Sequence, residues 1–125
     1  MKTMLLGQTN LLVTKPAFGA LPVQRCSMDD AVAILRRAYE GGIRYFDTAN
    51  AYTDSEEKIG RALSDVRKDI VISTKSQGRD YDTVKKHIRQ SLERMKTDYI
   101  DLFQVHMVSH WGELDAGAYQ AALEA

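Results

Sequence analysis

Hydrophobic positions along this chain fall into short continuous runs that alternate with stretches of helical spacing. The continuous runs are rich in β-branched and aromatic residues, which is typical of strands covered on both faces. The other stretches repeat an apolar residue every three or four positions, as amphipathic helices do. The pattern predicts a hairpin at about 2–14, strands at about 17–20, 44–48, 70–75 and 100–106, and helices between the strands.

Local signals mark the ends of the predicted helices. Ser27 with Asp30 three residues later is a helix-start signal, and Gly41-Gly42 ends the same helix. Thr53 or Asp54 is expected to cap the second helix. Each predicted strand is therefore joined to the next by a helix of ordinary length.

Strands that alternate with helices indicate parallel βαβ units. Right-handed crossovers leave two closures, a doubly wound open sheet or a barrel. The dinucleotide-binding glycine pattern of an open sheet is missing after the first strand, where residues 17–22 read AFGALP. The predicted fold class is therefore α/β, as the N-terminal half of a (β/α)8 TIM barrel with an N-terminal β-hairpin, and residues 1–125 are expected to form a single partial barrel domain.

Three successive predicted strands finish on a titratable side chain, namely Asp47, Lys75 and His106. A buried carboxylate is costly unless a cation meets it, and Lys75 is the candidate partner of Asp47. In a barrel of this type, catalytic groups come from the C-terminal ends of several strands. Side chains two positions apart share a face of a strand, so each of these residues has a polar or amphipathic neighbour on its own face: Tyr45, Ser73 and Gln104.

Tyr52 lies in the loop five positions after Asp47 and can lean back over these strand ends. A lysine ammonium about 4 Å from a phenol favours the phenolate by up to ~4 kcal/mol at an effective dielectric constant near 20. Such a tyrosine is a useful general acid. With His106 donating a hydrogen bond to a carbonyl oxygen, the set predicts polarisation of a C=O group and protonation of the developing alkoxide. The hydride must then come from a reduced nicotinamide.

Composition excludes several classes of partner. The 17 basic and 17 acidic residues balance, so neither nucleic acid nor an anionic membrane is an expected partner. The single Cys26 cannot form an intramolecular disulfide, and with no continuous secretory signal it favours a cytoplasmic location. His106 and His110 straddle a strand end without a third ligand, so no metal site is predicted.

The motifs GIRYFDTANAY, VISTKS and DLFQVH contain these titratable residues in order. On them the chain resembles the N-terminal half of an aldo-keto reductase, and the resemblance covers essentially all 125 residues. It implies an NAD(P)H-dependent carbonyl reductase that takes small aldehydes or ketones, prefers NADPH although NADH is possible, and uses a tyrosine as proton donor. The implied catalytic residues are Asp47, Tyr52, Lys75 and His106.

The resemblance also implies cofactor contacts. Asp47 meets the nicotinamide ribose in such enzymes, and Gly19 with Ala20 occupies the first-strand loop beside the cofactor. The stretch from Glu56 to Gly60 is similar to an E-x-x-I-G segment of the family, shifted by one residue relative to many members. The sequence from Tyr52 to Lys58 also resembles that of members that carry a C-terminal iron–sulfur region, although no Cys cluster is present here.

Length limits what the resemblance implies. A barrel of this type takes roughly 250 residues, so the chain corresponds to about half of one and carries few of the family's later cofactor contacts. We expect this polypeptide alone to bind NADPH weakly or not at all, and its activity to require the other half of the barrel or association with another copy. Self-association through exposed sheet edges is also expected. Two alternatives remain: a Schiff-base, aldolase-like lyase that uses Lys75, and a non-catalytic half-barrel that serves as an interaction module.

Overall fold

The computed structural model describes residues 1–125. An N-terminal hairpin of two strands is followed by four strands that alternate with four helices in chain order. The strands are β1 (Lys2–Leu5), β2 (Leu12–Lys15), β3 (Phe18–Gly19), β4 (Tyr45–Asp47), β5 (Val71–Ser76) and β6 (Leu102–Val105). The helices are α1 (Met28–Glu40), α2 (Ser55–Leu63), α3 (Tyr81–Met95) and α4 (Ala118–Leu123). Three 3₁₀ segments, which periodicity did not predict, lie at Pro22–Arg25, Ser64–Asp69 and Trp111–Leu114.

The predicted ends of α1 are confirmed. The Ser27 hydroxyl oxygen accepts a hydrogen bond from the Asp30 N–H at 3.1 Å, which satisfies one of the free donors of the first turn. Gly41 follows the last helical residue, and Gly42 adopts a left-handed φ of +102°, where a side chain would be strained. The sequence signals at both ends of this helix therefore act as expected.

The predicted cap of α2 is wrong in its chemistry. Asp54 immediately precedes the helix, but its side chain caps no backbone N–H. Its carboxylate instead accepts a hydrogen bond at 2.9 Å from Lys58 Nζ, one turn later. The ammonium group of Lys58 is buried and competes successfully for the carboxylate, because a buried cation needs an acceptor more than an exposed helix end does.

The parallel sheet has the strand order β3-β4-β5-β6, so each strand lies beside its neighbour in sequence. A doubly wound sheet reverses its order at a switch point, whereas a barrel adds each new strand on the same side. The register pairs Gly19 with Asp47, and Lys75 with Gln104. β1 and β2 pair separately as an antiparallel hairpin.

The observed strands differ slightly from the predicted ranges. β4 and β6 are shorter than 44–48 and 100–106, and β5 runs one residue further than 70–75. His106 therefore follows β6 as the next residue instead of ending the strand. Its N–H still bonds to the Ser76 carbonyl at 2.7 Å, so the backbone continues the ladder to that point.

The two faces of the sheet differ in chemistry. One face packs against α1, α2 and α3 through a sealed apolar core, with Phe46 and Ile72 on the strands. The opposite face carries the polar side chains predicted from strand parity, and there Gln104 Nε2 donates to the Ser73 hydroxyl at 3.0 Å. Burial of the apolar face fixes which side chains point the other way, because a one-residue slip would exchange the faces.

Helices α2 and α3 touch through backbone at Gly60. A Cβ atom there would lie 2.8 Å from Met95 Cα, inside any allowed contact. The close approach sets the position of α2, whose first turn follows the loop that carries Tyr52. Among the helices, none has both the length and the hydropathy that crossing a bilayer requires.

Candidate active site

Asp47 and Lys75 form an ion pair across the ends of β4 and β5. Lys75 Nζ lies 2.7 Å from Asp47 Oδ2 and donates a second hydrogen bond to the Thr48 carbonyl at 2.6 Å. The Lys75 side chain is 10% exposed and that of Asp47 is 34% exposed. The Lys75 ammonium group is thus fixed by two oxygens, while the Asp47 carboxylate remains partly accessible on the polar face of the sheet.

Tyr52 lies over this pair. Lys75 Nζ is 5.5 Å from the centre of the Tyr52 ring. The ring meets the His106 imidazole edge to face, with centroids 5.7 Å apart and an interplanar angle of 79°. The structure therefore brings all four residues that the sequence singled out into one cluster.

His106 is held by its backbone rather than by its ring. Its carbonyl accepts a hydrogen bond from Arg79 Nη2 at 2.8 Å. Burial lowers the pKa of His106 below its ordinary value, and the nearby Lys75 charge lowers it further against the opposing effect of Asp47. The imidazole is therefore neutral near pH 7, and its buried Nδ1 has no hydrogen-bond partner within the chain.

Two of the three predicted cofactor residues present groups that suit a nicotinamide ribose. Asp47 Oδ1 accepts no hydrogen bond, since only Oδ2 is used by Lys75, and a free carboxylate oxygen suits a sugar hydroxyl. Gly19 pairs with Asp47 in register, and the space beside its Cα is open. Ala20 is fully buried, and its N–H and carbonyl are bonded to the Asp47 carbonyl and the Ser55 hydroxyl. The free acceptor at Asp47 and the open space at Gly19 fit the cofactor, whereas Ala20 offers no free polar group.

Three polar residues beside the cluster had no role assigned from the sequence. Glu56 is buried within α2, Arg94 lies near the end of α3, and Asn50 lies in the loop before Tyr52. Glu56 begins the E-x-x-I-G segment, and that segment is the sequence feature that could have indicated a role for it. Asn50 and Arg94 carry no local pattern, since their contacts join residues 44 positions apart.

No group of three or more His, Cys, Asp and Glu side chains lies close enough together to hold a metal ion. The cluster is therefore built from proton donors, proton acceptors and one ammonium group. Such groups act on a substrate by hydrogen bonding, proton transfer and charge stabilisation.

Parallel β/α units in consecutive order, with titratable residues at the C-terminal strand ends, define part of a (β/α)8 barrel of the enzyme type. The family model described as "Aldo/keto reductase family" matches residues 14–124. The chain belongs to the aldo/keto reductase family, which confirms both the resemblance and the predicted fold class. A C-terminal iron–sulfur region stays a prediction.

Relatives and solved structures agree with this assignment. The chain is 38% identical to L-galactose dehydrogenase of Arabidopsis thaliana over 88% of this chain and 39% of that protein. It is 35% identical to methylglyoxal reductase DkgA of Escherichia coli O157:H7 over 69% of this chain and 32% of that protein. The holo form of the aldo-keto reductase AKR11C1 from Bacillus halodurans superposes with a TM-score of 0.88 at 32% identity, over 99% of this chain and 46% of that one. The chain thus spans less than half the length of these relatives.

Proposed function

We propose that the chain carries the proton-transfer site of an NAD(P)H-dependent oxidoreductase that reduces aldehydes or ketones to alcohols. The observation that carries the proposal is the cluster at the strand ends, in which the Asp47–Lys75 pair and His106 meet at Tyr52. Membership of the aldo/keto reductase family supports the same reaction class.

Tyr52 acts as the general acid in this proposal. The Lys75 ammonium group lies against the phenol ring, and a neighbouring positive charge stabilises the negative charge left on the phenol oxygen after proton transfer. Asp47 and the Thr48 carbonyl hold Lys75 in place with two short hydrogen bonds. Lys75 is thereby held where its charge can stabilise the phenolate that forms when Tyr52 gives its proton to the substrate oxygen.

His106 orients the carbonyl group of the substrate. Because its pKa is lowered, the imidazole is neutral and can donate one ring N–H to the carbonyl oxygen without carrying a charge. Its edge-to-face contact with Tyr52 directs both groups to the same region. One oxygen atom of a substrate can then receive the hydrogen bond and, later, the proton.

Gly19, Ala20 and Asp47 are proposed to lie beside the cofactor, with NADPH preferred and NADH possible. A reduced nicotinamide, when bound, supplies the hydride. Asp47 Oδ1 is free to accept a ribose hydroxyl, and Gly19 leaves room for close approach. The names L-galactose dehydrogenase and methylglyoxal reductase support a small polar carbonyl compound as the substrate class.

The lyase alternative has less support. Schiff-base formation needs a free amine lone pair on the lysine. Lys75 Nζ instead donates to Asp47 and to the Thr48 carbonyl, and its side chain is almost fully buried. The environment suits a fixed ammonium group better than a nucleophile.

A reduction assay tests the proposal directly. The protein is incubated with NADPH and methylglyoxal, the loss of NADPH is followed by absorbance, and the alcohol product is identified by chromatography. Because this polypeptide alone is expected to bind NADPH weakly, the assay uses excess NADPH and protein concentrations at which the chain self-associates. Under these conditions we expect wild-type protein to form the alcohol and Lys75→Met to form at least ~100-fold less per unit time. Absence of alcohol, together with a covalent adduct on Lys75 after borohydride treatment, would establish the lyase instead.

We also propose that residues 1–125 form one partial barrel domain that associates with itself through sheet edges. β3 and β6 are the edge strands of the parallel sheet, and edge strands expose backbone groups that can pair with another chain. Size-exclusion chromatography over a range of protein concentrations tests this. A monomer at every concentration would contradict the association.

A further inference from the structure

Glu56 is a buried carboxylate that lies outside the proton-transfer cluster. It is 1% exposed, and its Oε1 accepts a hydrogen bond from the Thr74 hydroxyl at 2.7 Å. Its Oε2 lies 3.3 Å from Arg94 Nη1, the one cation paired with it. A buried carboxylate without a cation is strongly unfavourable, so Glu56 holds the Arg94 guanidinium at the junction of α2, β5 and α3.

Arg94 reaches from this junction to the loop that carries Tyr52. The same Nη1 donates to the Asn50 carbonyl at 3.3 Å. The Asn50 side chain in turn donates to the His87 carbonyl and to the Ser91 hydroxyl, each at 3.4 Å. The Asn50 N–H bonds to the Lys75 carbonyl at 2.9 Å. Asn50 is therefore fixed both by α3 and by β5.

Tyr52 depends on this loop for its position. Its hydroxyl makes no hydrogen bond within the chain, and its backbone bonds only within the turn, to the Ala49 carbonyl and the Ser55 N–H. Thr53 adopts a left-handed φ of +41°, which is strained for a β-branched residue. Strained turns persist only where the surrounding structure holds them. The anchors at Asn50, two residues before Tyr52, are contacts of that kind.

We propose that Glu56 and Arg94 are positioning residues, which act through Asn50 to hold the loop conformation that places Tyr52 against Lys75 and His106. The catalytic consequence rests on the proposed function, whereas the placement of Tyr52 can be measured without activity. A displacement of about 1 Å at a reacting group can cost roughly 100-fold in rate, so a contact outside the site can control the reaction.

The test uses three variants of the full chain. Glu56→Gln removes the buried charge and leaves Arg94 its contact with the Asn50 carbonyl. The double variant Glu56→Gln/Arg94→Met removes that contact as well, without leaving an unpaired buried carboxylate. Arg89→Gln removes an exposed arginine from the same helix and is the matched control. Tyrosine is labelled with ¹³C at Cζ, and the Tyr52 resonance is assigned by its loss in Tyr52→Phe.

We expect the double variant to shift the Tyr52 resonance and its titration midpoint while the other tyrosines stay unchanged. Reduction by the double variant should fall roughly 10–100-fold in kcat, with KM changed less than about twofold, because a misplaced proton donor affects the reaction step. Glu56→Gln should show a smaller change of the same kind. Arg89→Gln should match the wild type in every readout.

The proposal is overturned if the double variant folds, by circular dichroism, with an unchanged Tyr52 resonance and titration. A raised KM at unchanged kcat would also contradict it. Should the double variant fail to fold, Glu56→Gln/Arg94→Lys decides, since lysine keeps the aliphatic stem and the charge but lacks the guanidinium Nη1 that reaches the Asn50 carbonyl, and this variant must move the Tyr52 resonance. Absence of carbonyl reduction by the wild type would refute the proposed function alone, and the resonance would still decide the positioning.

Discussion

The two ends of the parallel sheet each contain a cation–carboxylate pair with the same separation. At the C-terminal end Lys75 lies 2.7 Å from Asp47, and at the N-terminal end Arg67 lies 2.7 Å from Asp101. The pairs differ in how completely their polar atoms are used. That difference separates a pair whose contacts all lie within the fold from one that belongs to the proposed active site.

The N-terminal pair is more completely bonded and more deeply buried, with only Oδ1 of Asp101, whose side chain is 14% exposed, accepting no hydrogen bond. Arg67 donates to the Thr97 hydroxyl, the Ile70 carbonyl and the Tyr99 carbonyl, each at 3.0 Å, in addition to Asp101. Its guanidinium also stacks 3.8 Å above the Tyr99 ring. Asp101 Oδ2 accepts a further hydrogen bond at 2.8 Å from the N–H of Ile72 in β5. Every contact joins chain segments, as a structural role requires.

The C-terminal cluster leaves polar atoms unused. Asp47 Oδ1, the Tyr52 hydroxyl and His106 Nδ1 make no hydrogen bond within the chain. Of these three atoms only His106 Nδ1 is buried, and a buried polar atom without a partner lowers stability and points to a role in ligand binding or reaction. The cluster therefore keeps polar atoms available for the ligand contacts that the proposed function requires.

Tyr52→Phe gives the largest expected effect. It should lower the reduction rate and leave the stability of the chain almost unchanged. Loss of the phenol proton should lower carbonyl reduction about 10²–10⁴-fold, as expected for removal of a general acid. The unfolding free energy should change by less than about 0.5 kcal/mol, because the hydroxyl bonds to nothing in the chain. NADPH oxidation and urea unfolding measure the two quantities. A loss of unfolding free energy large enough to account for the loss of reduction would show that Tyr52 is structural.

Gly60→Ala should disturb both ends of the sheet together. The added Cβ meets the backbone of α3 at Met95, so α2 must move outward, at a cost of about 3 kcal/mol. α2 joins the Tyr52 loop to the segment that carries Arg67. Thermal unfolding and the reduction assay should therefore both show losses. Gly112→Ala, in an exposed segment, is the control and should be nearly neutral in stability.

Arg67→Lys should affect only the N-terminal end. A lysine ammonium keeps the charge but lacks the planar fork that serves several acceptors, so the unfolding free energy should drop by about 2 kcal/mol. The rate of reduction per folded molecule should stay within about twofold of the wild type, because the pair is remote from the cluster. Chemical denaturation gives the first quantity. An unchanged unfolding free energy would show that the fork geometry contributes nothing.

The smallest expected effect is a pH dependence from His106. Its pKa in the folded chain is below the ordinary value of 6.5, so the unfolded chain binds the proton more readily. Stability from the neutral imidazole is complete above pH 6.5 and is lost as the pH falls from there through the lowered pKa. His106→Gln should flatten the stability profile in this range. His87, whose burial also lowers its pKa, contributes with the same sign and is removed separately as His87→Gln.

Much of the fold follows from local signals in the sequence. Ser27 and Gly42 mark the ends of α1 because capping and left-handed backbone depend on the residue itself. Strand parity also predicted which side chains share the polar face, and the bond between Gln104 and Ser73 agrees with it. The pairing of Asp47 with Lys75 could also be predicted, because a carboxylate at a buried strand end needs a cation and the next strand ends in one.

Other features depend on contacts that no local pattern encodes. Arg67 and Asp101 lie 34 positions apart, and although Asp101 begins the DLFQVH motif, no local pattern indicates that it pairs with Arg67. Glu56 reads as an ordinary exposed residue in the first turn of a helix, yet it is buried because Thr74 and Arg94 meet it. The failed cap at Asp54 has the same origin, since Lys58 competes for its carboxylate once the fold has buried the ammonium group.

The most direct test of the central comparison is a matched pair of aspartate substitutions, Asp47→Asn and Asp101→Asn, each measured for reduction rate and unfolding free energy. Asp101→Asn should cost about 3 kcal/mol of stability and leave the rate per folded molecule nearly unchanged, because it breaks a buried ion pair that is bonded to several chain segments. Asp47→Asn should lower the rate at least ~100-fold and cost only about 1 kcal/mol, since its carboxylate is partly exposed. Asp47→Asn with full activity and a stability loss as large as that of Asp101→Asn would contradict the account.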